Sequence, residues 1–439
     1  MIRLSIFLLV ISLPLAAQKV VRTYHDPQKQ KLQEEYTVSS EDDATMIGKY
    51  QRFYETGGVM VEGNFEDGKK SGLFTEFHEN GTPARRFTYV NGLRHGVVEI
   101  FNEQGRSVQK AYYQNDILTD SVQIFFDNGN IKGQSYFHKG KPDGLIKEYY
   151  PNGRIRKEIV YEKGKPNGIT RTFYEDGKIE TEANYENGIL KGFYKTYYPS
   201  GQLQTVSTME QGSKNGQYKS YDREGHLVLE GNFLNGRLHG PNIAYFPEGQ
   251  VQHRFFYFEG KKVDTNFEYY RDGTIKTKEI AVRNKPDLRQ FNYNESGILQ
   301  SEKNFRYEKP SGEWTYYFDQ GKVVRMRENY LDGKLNGIRS TYHPTGKIAM
   351  EETFKVNLLA GPLKVYNNDG ILESSTEYRS NRKHGLFTSY YPNGTIREQG
   401  EYLADKKHKE WKQYDEQGNL LRTLIFKAGI LADTREEKK

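Results

Sequence analysis

A fixed spacing of 24 residues governs most of this chain. A glycine that ends a turn of the form aromatic-aromatic-x-[Asn/Asp]-Gly recurs with this period, and fourteen of its fifteen intervals are 24 residues long. These glycines are Gly57, Gly81, Gly105, Gly129, Gly153, Gly177, Gly201, Gly225, Gly249, Gly273, Gly297, Gly321, Gly346, Gly370, Gly394 and Gly418. Such a period is the signature of a repeat array, in which each unit is one supersecondary element stacked on its neighbours.

Each unit is predicted to be a β-hairpin. Positions in a unit are counted here from the turn glycine, which is position 0. Several units have proline at position −2, which suits a type I turn that ends in a left-handed glycine. This three-residue loop pairs position −4, always aromatic, with position +2, usually aliphatic, as in Tyr197 and Leu203. An aromatic side chain opposite an aliphatic one is a favoured cross-strand pair.

The apolar columns predict where the core lies. Position +8 is aromatic in every unit except those with Met209 and Ala281. Positions +2 and +8 differ by an even number, so their side chains share one face, which we expect to be the core face together with position −4. Trp314 and Trp411, at position +17, are expected to lie off that face. Isolated hairpins are marginal in water, so the units must stack. The predicted fold is all-β, an elongated array of about 16 antiparallel hairpins of 24 residues.

The unit resembles the MORN repeat. The resemblance is carried by glycines and an aromatic residue, as in Tyr185-Glu186-Asn187-Gly188-Ile189-Leu190-Lys191-Gly192, and extends from about Gly48 to Gly429. The Tyr-Tyr-Pro-Asn-Gly turn and the 24-residue period are more similar to a bacterial variant of this repeat, often labelled antitoxin-like. The glycine pair is lost at Asp116/Asp120, Asn284/Leu288 and Asp405/Lys409. The family implies an elongated β array that contacts proteins or membrane lipids, and it implies no catalytic residues.

The array has distinct flanking segments. Residues 1–17 are expected to be a secretory signal peptide, with Arg3, an apolar core and a small-residue cleavage site at Ala17. Residues 18–47 are a degenerate N-terminal cap with an acidic loop, and residues 48–428 are the array. One inserted residue before Tyr330 is expected to mark a bulge or bend. Residues 429–439 are a charged C-terminal tail, expected to be disordered.

The composition favours an exported protein without disulfides. The chain has no cysteine, which excludes a lipid-modified cysteine anchor, and no second stretch is apolar enough for a membrane helix. Export without disulfides fits a Gram-negative periplasm or cell surface better than a small secreted scaffold. We therefore expect no transmembrane segment after signal cleavage, and nucleic acid is not expected as a partner.

The sequence contains none of the common catalytic motifs. It has no zinc-protease helix motif, nucleophile elbow, phosphate-binding loop or dinucleotide fingerprint. His95, His239, His384 and His408 share position +14, which is interpreted as a turn consensus rather than a metal site. We expect no enzyme activity, no catalytic residue, no cofactor and no metal.

Two columns provide a candidate binding surface. Position +12 is basic in ten units, and position −3 carries a second aromatic ring in several consecutive units. The ring at −3 is expected to face away from the core, either as an exposed stripe or packed on its neighbours. The six residues predicted to form the surface are Phe126, Tyr150, Tyr174, Tyr198, Lys141 and Lys165.

The functional reading is an exported, non-catalytic repeat scaffold that recognises a protein or a surface ligand. One alternative is an antitoxin or immunity-type inhibitor of a partner toxin. Another is a cell-envelope protein that binds glycan or anionic lipid. A glycan-processing enzyme is disfavoured, because no unique acidic pair interrupts the repeat.

Overall fold

The computed structural model describes residues 18–40, 42 and 44–437, and the expected signal peptide lies outside them. The described residues form antiparallel strands and turns and contain no helix, so the predicted all-β hairpin array is confirmed. The same residues therefore include no helix that could cross a membrane. The chain divides into two compact units, Met1–Ser213 and Lys214–Lys439, which we call the first unit and the second unit. Elsewhere a unit is one 24-residue repeat.

Within the described residues, nineteen strands lie in the first unit and twenty-one in the second. Those of the first unit are β1 Gln18–Tyr24, β2 Leu32–Ser39, β3 Met46–Phe53, β4 Val59–Glu66, β5 Lys69–Phe77, β6 Pro83–Val90, β7 Leu93–Arg94, β8 Gly96–Phe101, β9 Ser107–Gln114, β10 Ile117–Phe125, β11 Ile131–His138, β12 Lys141–Pro142, β13 Gly144–Tyr149, β14 Ile155–Glu162, β15 Lys165–Pro166, β16 Gly168–Phe173, β17 Ile179–Glu186, β18 Ile189–Tyr197 and β19 Leu203–Glu210. Those of the second are β20 Ser213–Tyr221, β21 Leu227–Leu234, β22 Arg237–Tyr245, β23 Val251–Phe258, β24 Lys261–Tyr269, β25 Ile275–Ala281, β26 Asp287–Tyr293, β27 Leu299–Arg306, β28 Lys309–Pro310, β29 Gly312–Tyr317, β30 Val324–Leu331, β31 Lys334–Leu335, β32 Gly337–Tyr342, β33 Ile348–Lys355, β34 Leu358–Tyr366, β35 Leu372–Arg379, β36 Arg382–Tyr390, β37 Ile396–Leu403, β38 Lys406–Tyr414, β39 Leu420–Lys427 and β40 Ile430–Glu436.

The turn at position 0 has the predicted form. Position −4 pairs with position +2, as Tyr149 does with Ile155. The amide of Gly153 donates to the carbonyl of Tyr150, and Gly153 has a φ of 84°. This is a type I turn closed by a left-handed glycine. The inserted residue lies in one of these turns, at Lys322 (φ 64°), and not inside the following strand.

The turn at the opposite edge of the sheet has two left-handed residues, at positions +10 and +11. Asn187 and Gly188 have φ values of 52° and 86°, which is the type I′ geometry of a two-residue hairpin. Where glycine is absent, the backbone keeps this conformation, as at Asp116 (φ 64°) and Asp405 (φ 69°). Asn and Asp tolerate left-handed angles better than most residues, so the turn persists where the glycine signal is lost.

A bulge at position +15 shifts the pairing in most units. Gly192 has a φ of 92°, and the pairing jumps from Tyr185–Leu190 to Ala183–Tyr194 across it. Asp120 and Lys409 hold positive φ values at the same position without glycine. A bulge changes which face the following residues present, so residue parity cannot be counted across it.

This bulge explains why the expectation for the two tryptophans is wrong. Trp411 is fully buried, and its ring lies 4.9 Å from Tyr402 and 6.2 Å from Phe426, centroid to centroid. Trp314 is 4.7 Å from Tyr330 and donates from Nε1 to the carbonyl of Asn304 at 2.7 Å. Position +17 is therefore in the core and contacts the aromatic rings of position +8. We call this side of the sheet the ring face.

Glycine at position +6 makes room for the largest rings. A Cβ on Gly400 would lie 2.2 Å from the Trp411 ring, and one on Gly63 would lie 2.5 Å from Phe74. Each ring therefore packs directly on backbone of the preceding strand. Phe74 and Trp411 are both nearly or fully buried as a result.

The other side of the sheet carries cross-strand ion pairs between positions +5 and +18. Examples are Lys110–Glu99 at 2.8 Å and Arg171–Glu182 at 2.8 Å. The Tyr245 hydroxyl, at position −4, donates to Glu230 on this side at 2.7 Å. Burial and this hydrogen bond raise the pKa of Tyr245 to about 12. Position −4 thus belongs to the ion-pair face, because the register shifts just before the turn. The expectation that it shares the core face with position +8 is wrong for this unit.

The terminal segments continue the pairing. The cap contains β1, β2 and β3, and the His25 ring contacts the carbonyl of Phe53 at 3.1 Å. At the other end β40 pairs with β39, although the sequence predicts a disordered tail there. Ala428 and Gly429, with φ values of 52° and 89°, form a two-residue turn that returns the chain onto β39. Local turn geometry therefore orders a segment whose composition is polar.

Replacing Gly400 with alanine should lower the free energy of unfolding by about 1–3 kcal/mol, because the new methyl group collides with the Trp411 ring. The matched control is Gly133→Ala, whose Cβ would meet nothing closer than 3.8 Å, and which should change stability by less than about 0.5 kcal/mol. Neither glycine has a positive φ, so backbone strain does not differ between them. Urea unfolding followed by tryptophan fluorescence and circular dichroism measures both. Equal midpoints would contradict the packing described here.

Candidate recognition groove

A groove of about 530 Å³ opens on the ring face of the first unit. Its walls come from two consecutive hairpins, and most of the side chains that line it are apolar. The lining residues are Val122, Ile124, Phe126, Lys132, Gly133, Ser135, Ile146, Lys147, Glu148, Tyr149, Tyr150, Pro151 and Arg156. We call this site the recognition groove.

The groove lies where position +17 carries small or aliphatic residues, whereas some other repeats place a large ring there. Phe74 and Tyr194 are the rings on either side of this stretch. Between them the same position holds small or aliphatic residues, namely Val98, Val122, Ile146 and Thr170. Ser135 is paired with Val122 and Gly133 with Ile124, so small residues stand opposite two of the aliphatic side chains that line the groove. The missing rings leave a concave apolar surface in place of a filled one.

Two of the six predicted surface residues line this groove. Phe126 and Tyr150 stand at its wall, beside Val122 and Ile146 of the ring face. Position −3 does lie opposite to position −4, as expected. It lies on the same side as position +17, however, because Tyr150 follows Ile146 by four residues on one strand. The register shift before the turn separates position −4 from the face of position +8, which the sequence reasoning had joined.

The tyrosines at position −3 connect one repeat to the next. The Tyr150 hydroxyl donates to the carbonyl of Phe173 at 2.7 Å, and the Tyr174 hydroxyl donates to the carbonyl of Tyr197 at 2.6 Å. Burial raises the pKa of the Tyr174 hydroxyl above its ordinary value. These rings are half-buried and held in place at both ends. The column is thus a rigid wall rather than a row of mobile side chains.

Units without an aromatic ring or histidine at position −3 use a different device, which the sequence reasoning missed. Asp222 and Asn367 occupy position −3 and accept amide hydrogens of their own turn. Where position −3 is aromatic, the turn is instead capped from position −1, as Asn152 accepts the amide of Arg154 at 3.0 Å. The sequence did contain a signal for this device. Asp or Asn stands at position −3 in some repeats and at position −1 in others, and in either place it can accept the turn amides.

Lys141 and Lys165 lie at the opposite edge of the sheet and do not line the groove. A Cβ on Gly164 would lie 3.6 Å from the Lys141 Cβ, and one on Gly188 would lie 3.7 Å from that of Lys165. The lysine stems therefore lie across the glycine of the next turn. The aromatic and the basic residues of the predicted surface therefore lie at opposite ends of the hairpins.

The charges around the groove are basic on balance. The Lys132 ammonium lies 5.7 Å from the centre of the Phe126 ring, within the range of a cation–π contact. Arg156 pairs with Glu148, and Lys147 pairs with Glu158 at 3.2 Å. The two acidic groups are thus engaged, and Lys132 marks the part of the rim that favours an acidic ligand group. In the portion of the chain that the structure describes, no three His, Asp or Glu side chains converge as a metal site.

Removing the two hydroxyl groups should loosen the contact between neighbouring repeats. Tyr150→Phe and Tyr174→Phe should each lower the free energy of unfolding by about 0.5–1.5 kcal/mol, the usual contribution of one hydrogen bond. Tyr307→Phe is the matched control, because Tyr307 is 72% exposed, and it should change stability by less than about 0.5 kcal/mol. Chemical unfolding of the three variants measures this. Equal stability of all three would show that the hydroxyl contacts contribute nothing.

Comparison with known proteins gives a family. A family model described as the MORN repeat variant matches eight segments, at residues 46–67, 70–91, 142–163, 166–187, 214–235, 335–355, 383–404 and 407–428. A search of curated proteins finds no match.

Solved structures similar to the chain include two complexes of much larger proteins. One is the crystal structure of TcdB2-TccC3 without its hypervariable C-terminal region, with 13% identity, a TM-score of 0.15, and coverage of 93% of this chain and 24% of that one. The other is TcdB2-TccC3-Cdc42, with 12% identity, a TM-score of 0.14, and coverage of 89% and 26%. The chain thus spans about a quarter of the length of either. On the eight matched segments and their shared period, the chain contains repeats of the MORN repeat variant.

Proposed function

We propose that this chain is a non-catalytic binding scaffold that recognises a segment of a partner protein in the recognition groove. The observation that supports this most strongly is the apolar floor that Val122 and Ile146 form between the rings of Phe126 and Tyr150. A pocket of this size and composition suits one or two large apolar side chains. Repeat arrays commonly bind partners on such extended surfaces.

The chemistry of the rim defines the ligand further. Val122 and Ile146 supply apolar contact area, and fixed rings supply it at little cost in side-chain entropy. Lys132 stands beside the Phe126 ring and favours a carboxylate on the ligand. The partner segment is therefore expected to present a large apolar residue close to an acidic one. An immunity-type inhibitor would use the groove in the same way, with a toxin segment as its ligand.

We also propose that the protein acts outside the cytoplasm, at the periplasm or the cell surface. The basic start, apolar stretch and small-residue site within residues 1–17 support export. The absence of cysteine is consistent with an array that is stabilised by stacking and hydrogen bonds alone.

The proposal can be tested with a variant in which a larger side chain occupies the recognition groove. Ile146→Tyr places a ring at position +17, as in the repeat where Tyr194 is already paired with Ala183 of the preceding strand. Peptides selected from a random display library against the full chain should contain an apolar residue next to Asp or Glu. Their affinity, measured by calorimetry, should fall at least about tenfold in the Ile146→Tyr variant, a change of about 1.4 kcal/mol in binding free energy.

The control makes the same exchange on the opposite face. Ile169→Tyr introduces a ring at a position that is 36% exposed and does not line the groove, so peptide affinity should stay within about twofold. Circular dichroism establishes that both variants are folded. If the selected peptides bind the filled variant as tightly as the parent chain, the groove is not the recognition site.

A further inference from the structure

Five consecutive turns at one edge of the second unit carry a basic residue at position +12. They form a continuous row, whereas in the first unit the same position is interrupted by Leu93, Ile117 and Ile189. All five side chains are exposed. The members of this row, which we call the basic turn row, are Arg237, Lys261, Lys285, Lys309 and Lys334.

The repeat geometry fixes the spacing of the row. In four of the five turns an amide donates to a carbonyl of the preceding repeat, as Gly260 donates to Leu238 and Gly333 donates to Pro310, each at 2.9 Å. The turn of Lys285 is instead closed by the Lys285 amide, which donates to Val282 at 3.0 Å. The stem of Lys309 lies over Gly333, whose Cβ would meet Lys309 Cβ at 3.5 Å. Because equivalent residues are two strands apart, neighbouring charges are about 10 Å apart and the five span about 40 Å.

The charges of the row are not neutralised by ion pairs. Among the described residues, none of the five has a carboxylate oxygen within the 4.0 Å of an ion pair. The five turns, taken as 234–239, 258–263, 282–287, 306–310 and 331–336, contain eight Lys or Arg and four Asp or Glu. The turns at the other edge of the same hairpins, from 222–226 to 318–323, contain three Lys or Arg and six Asp or Glu. The two edges therefore have opposite charge, and the field of the basic edge favours an elongated anion.

An exposed aromatic ring lies within the row. Tyr307 is 72% exposed and sits in the turn that precedes Lys309, held there by its amide bond to the carbonyl of Pro286 at 2.9 Å. The Arg306 guanidinium lies 6.0 Å from the centre of the Tyr307 ring, and most of the ring surface remains open to solvent. A tyrosine with an apolar ring and a polar tip is suited to stacking on a sugar.

We propose that the basic turn row binds a linear anionic polysaccharide, which lies along the turns with its acidic groups on the five cations and one sugar ring on Tyr307. Lysine ammonium groups act as point charges with mobile stems, so they suit repeating carboxylates or sulfates without strict geometry. The exposed ring favours a carbohydrate over a polymer that offers charge alone. This site is separate from the recognition groove and does not depend on it.

The experiment measures binding of polygalacturonate oligomers to the full chain by calorimetry at several salt concentrations. Affinity should fall at least tenfold when Lys285, Lys309 and Lys334 are all changed to Gln, and the salt dependence should become shallower because fewer cations are engaged. Tyr307→Ser should lower affinity while the salt dependence stays unchanged. Methyl-esterified polygalacturonate, which has the same backbone without the charges, should not bind.

The control variant removes the same charge from the other edge of the second unit. Lys276, Lys322 and Lys347 are all exposed there, and their replacement by Gln should leave affinity within twofold. Equal loss in both triple variants would show a nonspecific charge effect and overturn the site. Unchanged affinity in the row variant would overturn it as well. If vesicles containing phosphatidylglycerol bind to the row and displace the oligomers at lower concentration, the occupant is a lipid surface and the polysaccharide proposal is wrong.

Discussion

One backbone hydrogen bond between successive repeats underlies the order of this array. In most two-residue turns the second residue directs its amide away from its own hairpin and donates to a carbonyl of the preceding repeat, as Gly164 does to Pro142 at 2.8 Å. Only a left-handed residue presents the amide in this way, which is why the conformation survives at Asp116 and Asp405. The side chain that follows, at position +12, then lies across the next turn. The turn geometry, the stacking of repeats and the spacing of the lysines all depend on this backbone hydrogen bond between repeats.

Much of the fold follows from local patterns that a sequence displays directly. The period, the pairing of position −4 with position +2, and the left-handed glycine at Gly153 are all set by turn chemistry within a few residues. The assignment of faces is not local. It depends on the bulge at position +15 and on the register shift before each turn, and these place Trp411 in the core and Tyr245 among the ion pairs. Counting odd and even positions no longer tells which face a side chain occupies when a bulge or register shift lies between the two positions compared.

The candidate sites arise where the regular pattern changes. The recognition groove lies where aliphatic residues such as Val122 and Ile146 occupy position +17. The sequence alone does not single out this stretch, because position +17 also lacks a ring in other repeats, as at Asn242 and Gln290. The predicted residues Phe126 and Tyr150 reach it, because they share the ring face. Lys141 and Lys165 do not, since they lie at the other edge of the sheet. A basic surface of this kind is longer in the second unit, where five consecutive turns retain the charge.

The central claim is that each repeat is ordered by the backbone of its neighbour. Native-state hydrogen exchange of the turn amides tests it most directly. Gly140, Gly188 and Gly260 are exposed glycines in two-residue turns, and in an isolated hairpin the amide of the second turn residue would face water. The account predicts that these amides exchange far more slowly than those of an unstructured peptide, at rates similar to the strand amides of the adjoining repeats. Exchange at the rate of an unstructured peptide would contradict it.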